Sequence, residues 1–141
     1  MSTIGAMGDL DSSSDSLRPI GVVRSPLEDR ERAPNQGREG APDAWIELTP
    51  SVLHGLDGIE VGDELIVITW LHEARRDVLK THPRGDTSVP LAGVFATRSP
   101  DRPNPLGLHP VVVLEIADGK LKVGPLEAID GTPVVDIKPV I

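Results

Sequence analysis

Residues 93–108 read GVFATRSPDRPNPLGL, and the rest of the chain is read outward from them. The approach to this stretch, Val89 to Ala96, is apolar and fits a buried strand. Its second half fits neither strand nor helix. Pro100, Pro103 and Pro105 fix φ, remove amide donors and push each preceding residue toward extended geometry. Gly107 then frees the backbone before a new apolar run starts at Leu108. The expected product is a stiff loop displaying Arg98, Asp101, Arg102 and Asn104. A fork of guanidinium donors on a rigid loop suits a carboxylate or a phosphate. Standing alone, the same loop reads as a proline-rich connector with solvated arginines.

Downstream, Leu108 to Ile116 is expected as a strand, with Pro110 near its start where proline is tolerated. Ala117-Asp118-Gly119-Lys120 carries an Asp-Gly hairpin signal. Lys120 to Ala128 returns as an alternating strand, with Leu121 and Val123 on one side and Lys120 and Lys122 on the other. Asp130-Gly131-Thr132-Pro133 is a second turn, and Val134 to Ile141 closes the chain as a strand. Upstream, Glu64 to His72 is the longest apolar strand candidate, followed by a polar stretch from Glu73 to Ser88. Ala44 to Leu48 alternates as a strand. Thr49-Pro50 opens a short helix, with Thr49 as the expected cap. Pro19 to Val23 is the first strand. Between it and Ala44 lies a long polar stretch with a Pro34-Asn35-Gln36-Gly37 turn signal, either functional or a mobile surface loop. Residues 1–17, rich in Ser, Gly and Asp, are expected to form a disordered tail, leaving 18–141 as the domain. Many short strands, Gly/Pro turns and little helical periodicity predict an all-β fold. It should be a small closed or nearly closed β-barrel with short helical turns in long loops.

Composition narrows the chemistry. The chain has 141 residues, enough for one domain with a real core, and no cysteine. Disulfides, thiolate metal sites and cysteine nucleophiles are therefore excluded. Net charge is -8 and the isoelectric point about 4.9, which argues against autonomous, tight nucleic-acid binding unless a basic patch is local or built by two subunits. Trp45, Trp70 and Phe95 are the sole aromatics, a thin basis for base stacking. The sequence shows no membrane-spanning apolar run and no signal pattern, so a cytoplasmic location is expected.

There is no glycine-rich phosphate loop of the dinucleotide or P-loop kind and no nucleophile elbow. His54, His72, His82 and His109 lack the spacing of a helical metal site, and no metal is expected. His54 and His82 read as surface histidines. His72-Glu73 ends the longest strand and either lines a barrel mouth or simply reaches solvent. Asp130-Gly131-Thr132-Pro133 is a turn by composition alone. Asp136, between Val135 and Ile137, should point away from them, toward solvent or toward a partner.

GVFATRSPDRPNPLGL together with the closing AIDGTPVVDIKP resembles the TsaA-like family of S-adenosylmethionine-dependent methyltransferases, over roughly Pro19 to Ile141. The resemblance implies a small β-barrel that binds S-adenosyl-L-methionine without a Rossmann sheet, as a homodimer with the cofactor near the subunit interface. It implies methylation of the exocyclic nitrogen of threonylcarbamoyladenosine beside the tRNA anticodon. Carried over by motif, the cofactor contacts are Pro34, Asn35 and Gln36; His72 and Glu73; Arg98, Arg102, Asn104 and Leu108; and Asp130, Gly131, Thr132 and Pro133. Arginine would hold the methionine carboxylate, backbone groups of the Asp-Gly-Thr turn would read adenine, and carboxylates would balance the sulfonium. Asp136 and His72, with Asp130 and His109 behind them, are candidates to take a proton from the acceptor. A small-molecule acceptor and a non-catalytic S-adenosylmethionine-binding barrel are the alternatives.

Overall fold

The computed structural model describes residues 16–30, 33 and 40–141. Six strands form one antiparallel sheet: β1 (Gly21–Arg24), β2 (Ala44–Leu48), β3 (Glu64–Trp70), β6 (Leu106–Ala117), β7 (Lys120–Gly124) and β8 (Pro133–Pro139). The sheet closes into a barrel in the order β1-β2-β7-β6-β3-β8. Two short strands, β4 (Lys80–Thr81) and β5 (Ala92–Gly93), pair with each other outside the barrel. The expected all-β barrel is therefore the fold, and closure leaves no exposed ladder edge between its six strands.

Alternation builds the interior. Val23, Ile46, Leu65, Val67, Val111, Val113, Leu121, Val123 and Val134 all point inward and are buried. Each aliphatic side chain taken fully out of water contributes about 1.5–3 kcal/mol. Lys120 and Lys122 alternate outward from Leu121 and Val123, as their period predicts. The Ala117↔Lys120 pair closes a two-residue hairpin, with Gly119 at φ 70°. Pro110 sits within β6 because β7 joins that strand only from Val112, so one side at Pro110 needs no donor. The seam that completes the barrel is short. β1 and β8 share only Gly21↔Val134 and Val22↔Pro133 in register.

Three expectations need correction. Val89 to Ala96 is not a buried strand. Only Ala92–Gly93 is strand, Val94–Ala96 is a 3-10 turn, and Phe95 is 85% exposed. The six strands close on themselves, so this run has no barrel partner; Val94 alone in the 3-10 turn is buried. The strand from Lys120 stops at Gly124, because Pro125 offers no N–H to the ladder. The chain then crosses the barrel end, burying Leu126, Ala128 and Ile129, with Leu126 N–H donating to Pro42 O. The short helix is a 3-10 segment, Pro50–Leu56, and Thr49 makes no side-chain cap.

Candidate functional site

In an antiparallel barrel, β6, β3 and β8 are neighbours, so the exit of β3 and the entries of β6 and β8 share one end. That topology brings three distant segments together: His72-Glu73 after β3, the proline loop before β6, and the Asp130–Pro133 turn before β8. Hydrogen bonds then tie them. Leu71 N–H donates to Pro105 O at 2.8 Å, and Arg102 N–H donates to Arg75 O at 3.0 Å. Arg30 donates to Glu73 O at 2.8 Å and to Asp101 Oδ1 at 3.0 Å. Asp101 Oδ1 also accepts from Arg75 N–H at 2.8 Å. The segment before Arg30 holds the third element. Asp130 N–H donates to Leu27 O at 2.6 Å, and Asp130 Oδ1 accepts from Ser25 N–H at 3.0 Å.

The carried-over residues fall into several settings. Arg98 is exposed and makes no hydrogen bond or ion pair with the described residues. His72 and Glu73 stand partly exposed beside each other, with Nε2 3.8 Å from Oε2. Asn104 is exposed, and its Oδ1 accepts from Arg76 Nη2 at 3.0 Å. Pro133 is half-buried, and Gly131 takes φ 84°, which only glycine adopts without strain. Arg102 turns its guanidinium back on its own loop, donating to Val94 O and, at 2.9 Å, to Thr97 O. Thr132 is 1% exposed and donates to Ile129 O at 2.7 Å. Both side chains are thus satisfied within the protein, and the Thr132 backbone is engaged as well, its N–H with Ile129 O and its carbonyl with Val23 N–H. Leu108 lies on the outer wall of β6, 46% exposed, directly across from Ile68. Asp136 flanks Ile68 on the other side; it is exposed, accepts from Ile137 N–H and sits 3.5 Å from Lys138 Nζ. His109 is buried, only 3% exposed. Pro34, Asn35 and Gln36 lie outside the described residues.

A cleft of about 520 Å³ opens beside the rim, lined by Leu17, Pro19, Trp70, Arg76, Asn104 and Pro133. That volume falls within the range of small-molecule sites. The Arg76 guanidinium lies 5.1 Å from the centre of the Trp70 ring and donates to Pro103 O at 2.6 Å. Reading the sequence missed Trp70, Arg76 and Arg30. The only signal was the cluster of arginines on either side of the β3 exit. Next to the cleft, Arg75 grips Asp77 through two hydrogen bonds, which hold the Asp77 carboxyl below the usual range. Among the described residues no group of three His, Asp or Glu could hold a metal. No helix among them is long and apolar enough to cross a membrane.

A closed six-stranded barrel with an arginine-bearing rim and an adjoining cleft defines a small ligand-binding β-barrel rather than a nucleotide fold with a parallel sheet. Residues 22–141 match the family model of the tRNA-methyltransferase O N-terminal domain, and the chain belongs to that family. It is 47% identical over 123 residues to a "probable S-adenosyl-L-methionine-binding protein" of Methanothermobacter thermautotrophicus, covering 87% of this chain and 88% of that one. It is 46% identical over 122 residues to an "S-adenosyl-L-methionine-binding protein" of Archaeoglobus fulgidus, covering 86% of each. The crystal structure of TrmO from Pseudomonas aeruginosa superposes with a TM-score of 0.71 at 29% identity, covering 89% of this chain. This chain spans about half of that one, 55% of its length.

Proposed function

We propose that this protein is an S-adenosylmethionine-dependent methyltransferase, with the cofactor held at the barrel rim and the adjoining cleft. The observation that carries the reading is the convergence, at one barrel end, of three segments far apart in sequence, in a chain of this family. The donor set suits the ligand. Arg98 is an exposed cation with no partner among the described residues, fit for a carboxylate. The N–H groups of Asp130, Gly131 and Thr132 are engaged with Leu27, Val23 and Ile129, so the carbonyls of Asp130 and Gly131 are the backbone groups proposed to accept from a purine's amino group, while Glu73 and Asp130 place carboxylates where a sulfonium could sit. When bound, the cofactor supplies an electrophilic methyl group. The protein's part is to orient the acceptor and exclude water. His72 at the rim and Asp136 on the outer wall are the groups proposed to take the acceptor's proton.

The acceptor is proposed to be threonylcarbamoyladenosine in tRNA, methylated on its exocyclic nitrogen. Charge placement supports this. Residues 75–102 hold six lysines and arginines against three aspartates, in a chain of net charge -8. A local basic surface of this kind can bind phosphates despite the overall balance. That same overall balance favours a second reading, a small-molecule acceptor. A third, binding without catalysis, agrees with the relatives' names.

A homodimer is proposed as well, with the cofactor near the interface. Its support is the outward row Leu106, Leu108, Val112 and Leu114 on β6, all exposed and apolar. Calorimetric titration with S-adenosylmethionine, followed by mass analysis of tRNA from cells with and without the gene, tests the reading. Saturable binding plus a methylated adenosine lost in the deletion strain is expected. Binding without turnover on tRNA or cell metabolites would leave only the sensing role, and no binding would end the proposal.

A further inference from the structure

Inside the barrel, under the rim, three polar groups form a chain of two hydrogen bonds. Thr69 is fully buried and His109 is 3% exposed, while the Glu127 side chain is 14% exposed. Thr69 Oγ1 lies 2.7 Å from His109 Nε2, and His109 Nδ1 lies 2.5 Å from Glu127 Oε1. A carboxylate has no proton to give, so Nδ1–H donates to Glu127. At Nε2 the second hydrogen bond joins the ring to the Thr69 hydroxyl. Gly107 makes room for this arrangement: a Cβ there would fall 2.6 Å from both His109 Nε2 and Thr69 Oγ1.

The sequence positions of the three groups give the chain its meaning. Thr69 is on β3, three residues before His72. Glu127 is on the segment that crosses the barrel end, three residues before Asp130. His109 is on β6, four residues after Pro105. Two hydrogen bonds therefore join the carriers of all three rim segments. Burying an imidazole and a carboxylate carries a desolvation cost that aliphatic side chains would avoid. What the polar chain adds is direction, because hydrogen bonds fix distance and angle more tightly than apolar packing does.

We propose that Glu127, His109 and Thr69 are positioning residues. From inside the barrel they set the spacing between the β3 exit, the β6 entry and the Asp130–Pro133 turn. The inference rests on the reading of that rim as the cofactor site, and it goes further by placing the control of rim geometry in the core.

Paired substitutions test it. Thr69→Val keeps the shape and removes the hydroxyl, whereas Thr69→Ser keeps the hydroxyl. Glu127→Ala removes the acceptor, whereas Glu127→Gln retains an oxygen that can accept. Leu65→Ala, at the opposite end of β3, serves as a matched loss of stability. Thr69→Val and Glu127→Ala should weaken S-adenosylmethionine binding by roughly tenfold, the size of one hydrogen bond between buried partners. The Ser and Gln variants should bind almost as wild type does. Leu65→Ala should melt lower yet bind normally. In the ligand-free protein, amide exchange should quicken in Thr69→Val and Glu127→Ala at Leu71, Asp130 and Gly131, and not at Leu48 or Val140. Wild-type affinity in both hydroxyl- and acceptor-free variants, or an equal loss in Leu65→Ala, would overturn the inference. If the wild-type chain binds no S-adenosylmethionine, the cofactor reading falls and the exchange pattern decides. Acceleration confined to the rim would uphold the positioning role, and uniform acceleration would reject it. If Thr69→Val does not fold, the Glu127 pair is sufficient to uphold or reject the role by the same two readouts.

Discussion

Apart from Val22, the outward positions of β1, β2 and β7 hold Arg24, Trp45, Glu47, Lys120 and Lys122, whereas between Glu64 and Trp70 at the ends of β3 those of β3 and β6 hold Ile66, Ile68, Leu106, Leu108, Pro110 and Val112. The first wall is organised for water. Arg24 Nε donates to Glu47 at 2.6 Å, and Lys120 Nζ lies 5.9 Å from the Trp45 ring centre. The second wall presents aliphatic side chains with no such pairing, flanked on β8 by Asp136 and Lys138. Both walls enclose the same core and have the same alternation, so the fold does not require the difference. A contiguous apolar sheet face on a small protein marks a surface that something covers. The candidate cofactor residue Leu108 lies in that face, which is why a second copy and the cofactor are proposed to meet there.

The comparison can be broken most decisively at Leu108. Leu108→Asp should abolish the proposed self-association, giving a monomer in sedimentation equilibrium at concentrations where the wild type is expected to dimerise. A monomeric wild type would assign the apolar wall to another partner. Gly107→Ala acts on the inner side of the same strand. Its methyl group would press on Thr69 and His109, and overpacking of this kind costs about 1–3 kcal/mol, read as a lower denaturation midpoint. Arg98→Ala should weaken S-adenosylmethionine binding about tenfold, roughly 1.4 kcal/mol, with folding intact. Unchanged calorimetric affinity would remove Arg98 from the site. On the charged wall, Arg24→Ala should leave both the thermal midpoint and the oligomeric state unchanged, since exposed ion pairs contribute little.

The barrel was legible because alternation and Asp-Gly or Gly-Pro turns announce themselves locally. Ala44–Leu48 matches its expected bounds, and β3, β6 and β8 match within a few residues. Errors arose where a long-range fact overrode a local one. The Val89 to Ala96 run is apolar enough for a strand, but the closed barrel leaves it no partner. Of the candidate site, the three segments that meet at one barrel end could be named from sequence, yet not where their side chains turn. Arg102 and Thr132 look like ligand contacts in a motif and turn inward in space. Arg30 meets Asp101 from 71 residues away, and His109 finds Glu127 across the barrel end. Pairings of that kind leave no periodic trace in a single sequence.

The two-pair seam between β1 and β8 has a further consequence. It is the shortest join in the barrel, and it borders the Asp130–Pro133 turn, with Val23 N–H donating to Thr132 O at 2.9 Å and Gly131 N–H to Val23 O at 2.8 Å. Local opening starts where the fewest bonds must break. A molecule gripping that turn would act as a clasp on the weakest stave, so occupancy and barrel closure would draw on one free energy. Protection of the Ile20 and Val23 amides would then rise with ligand concentration, although neither residue need touch it.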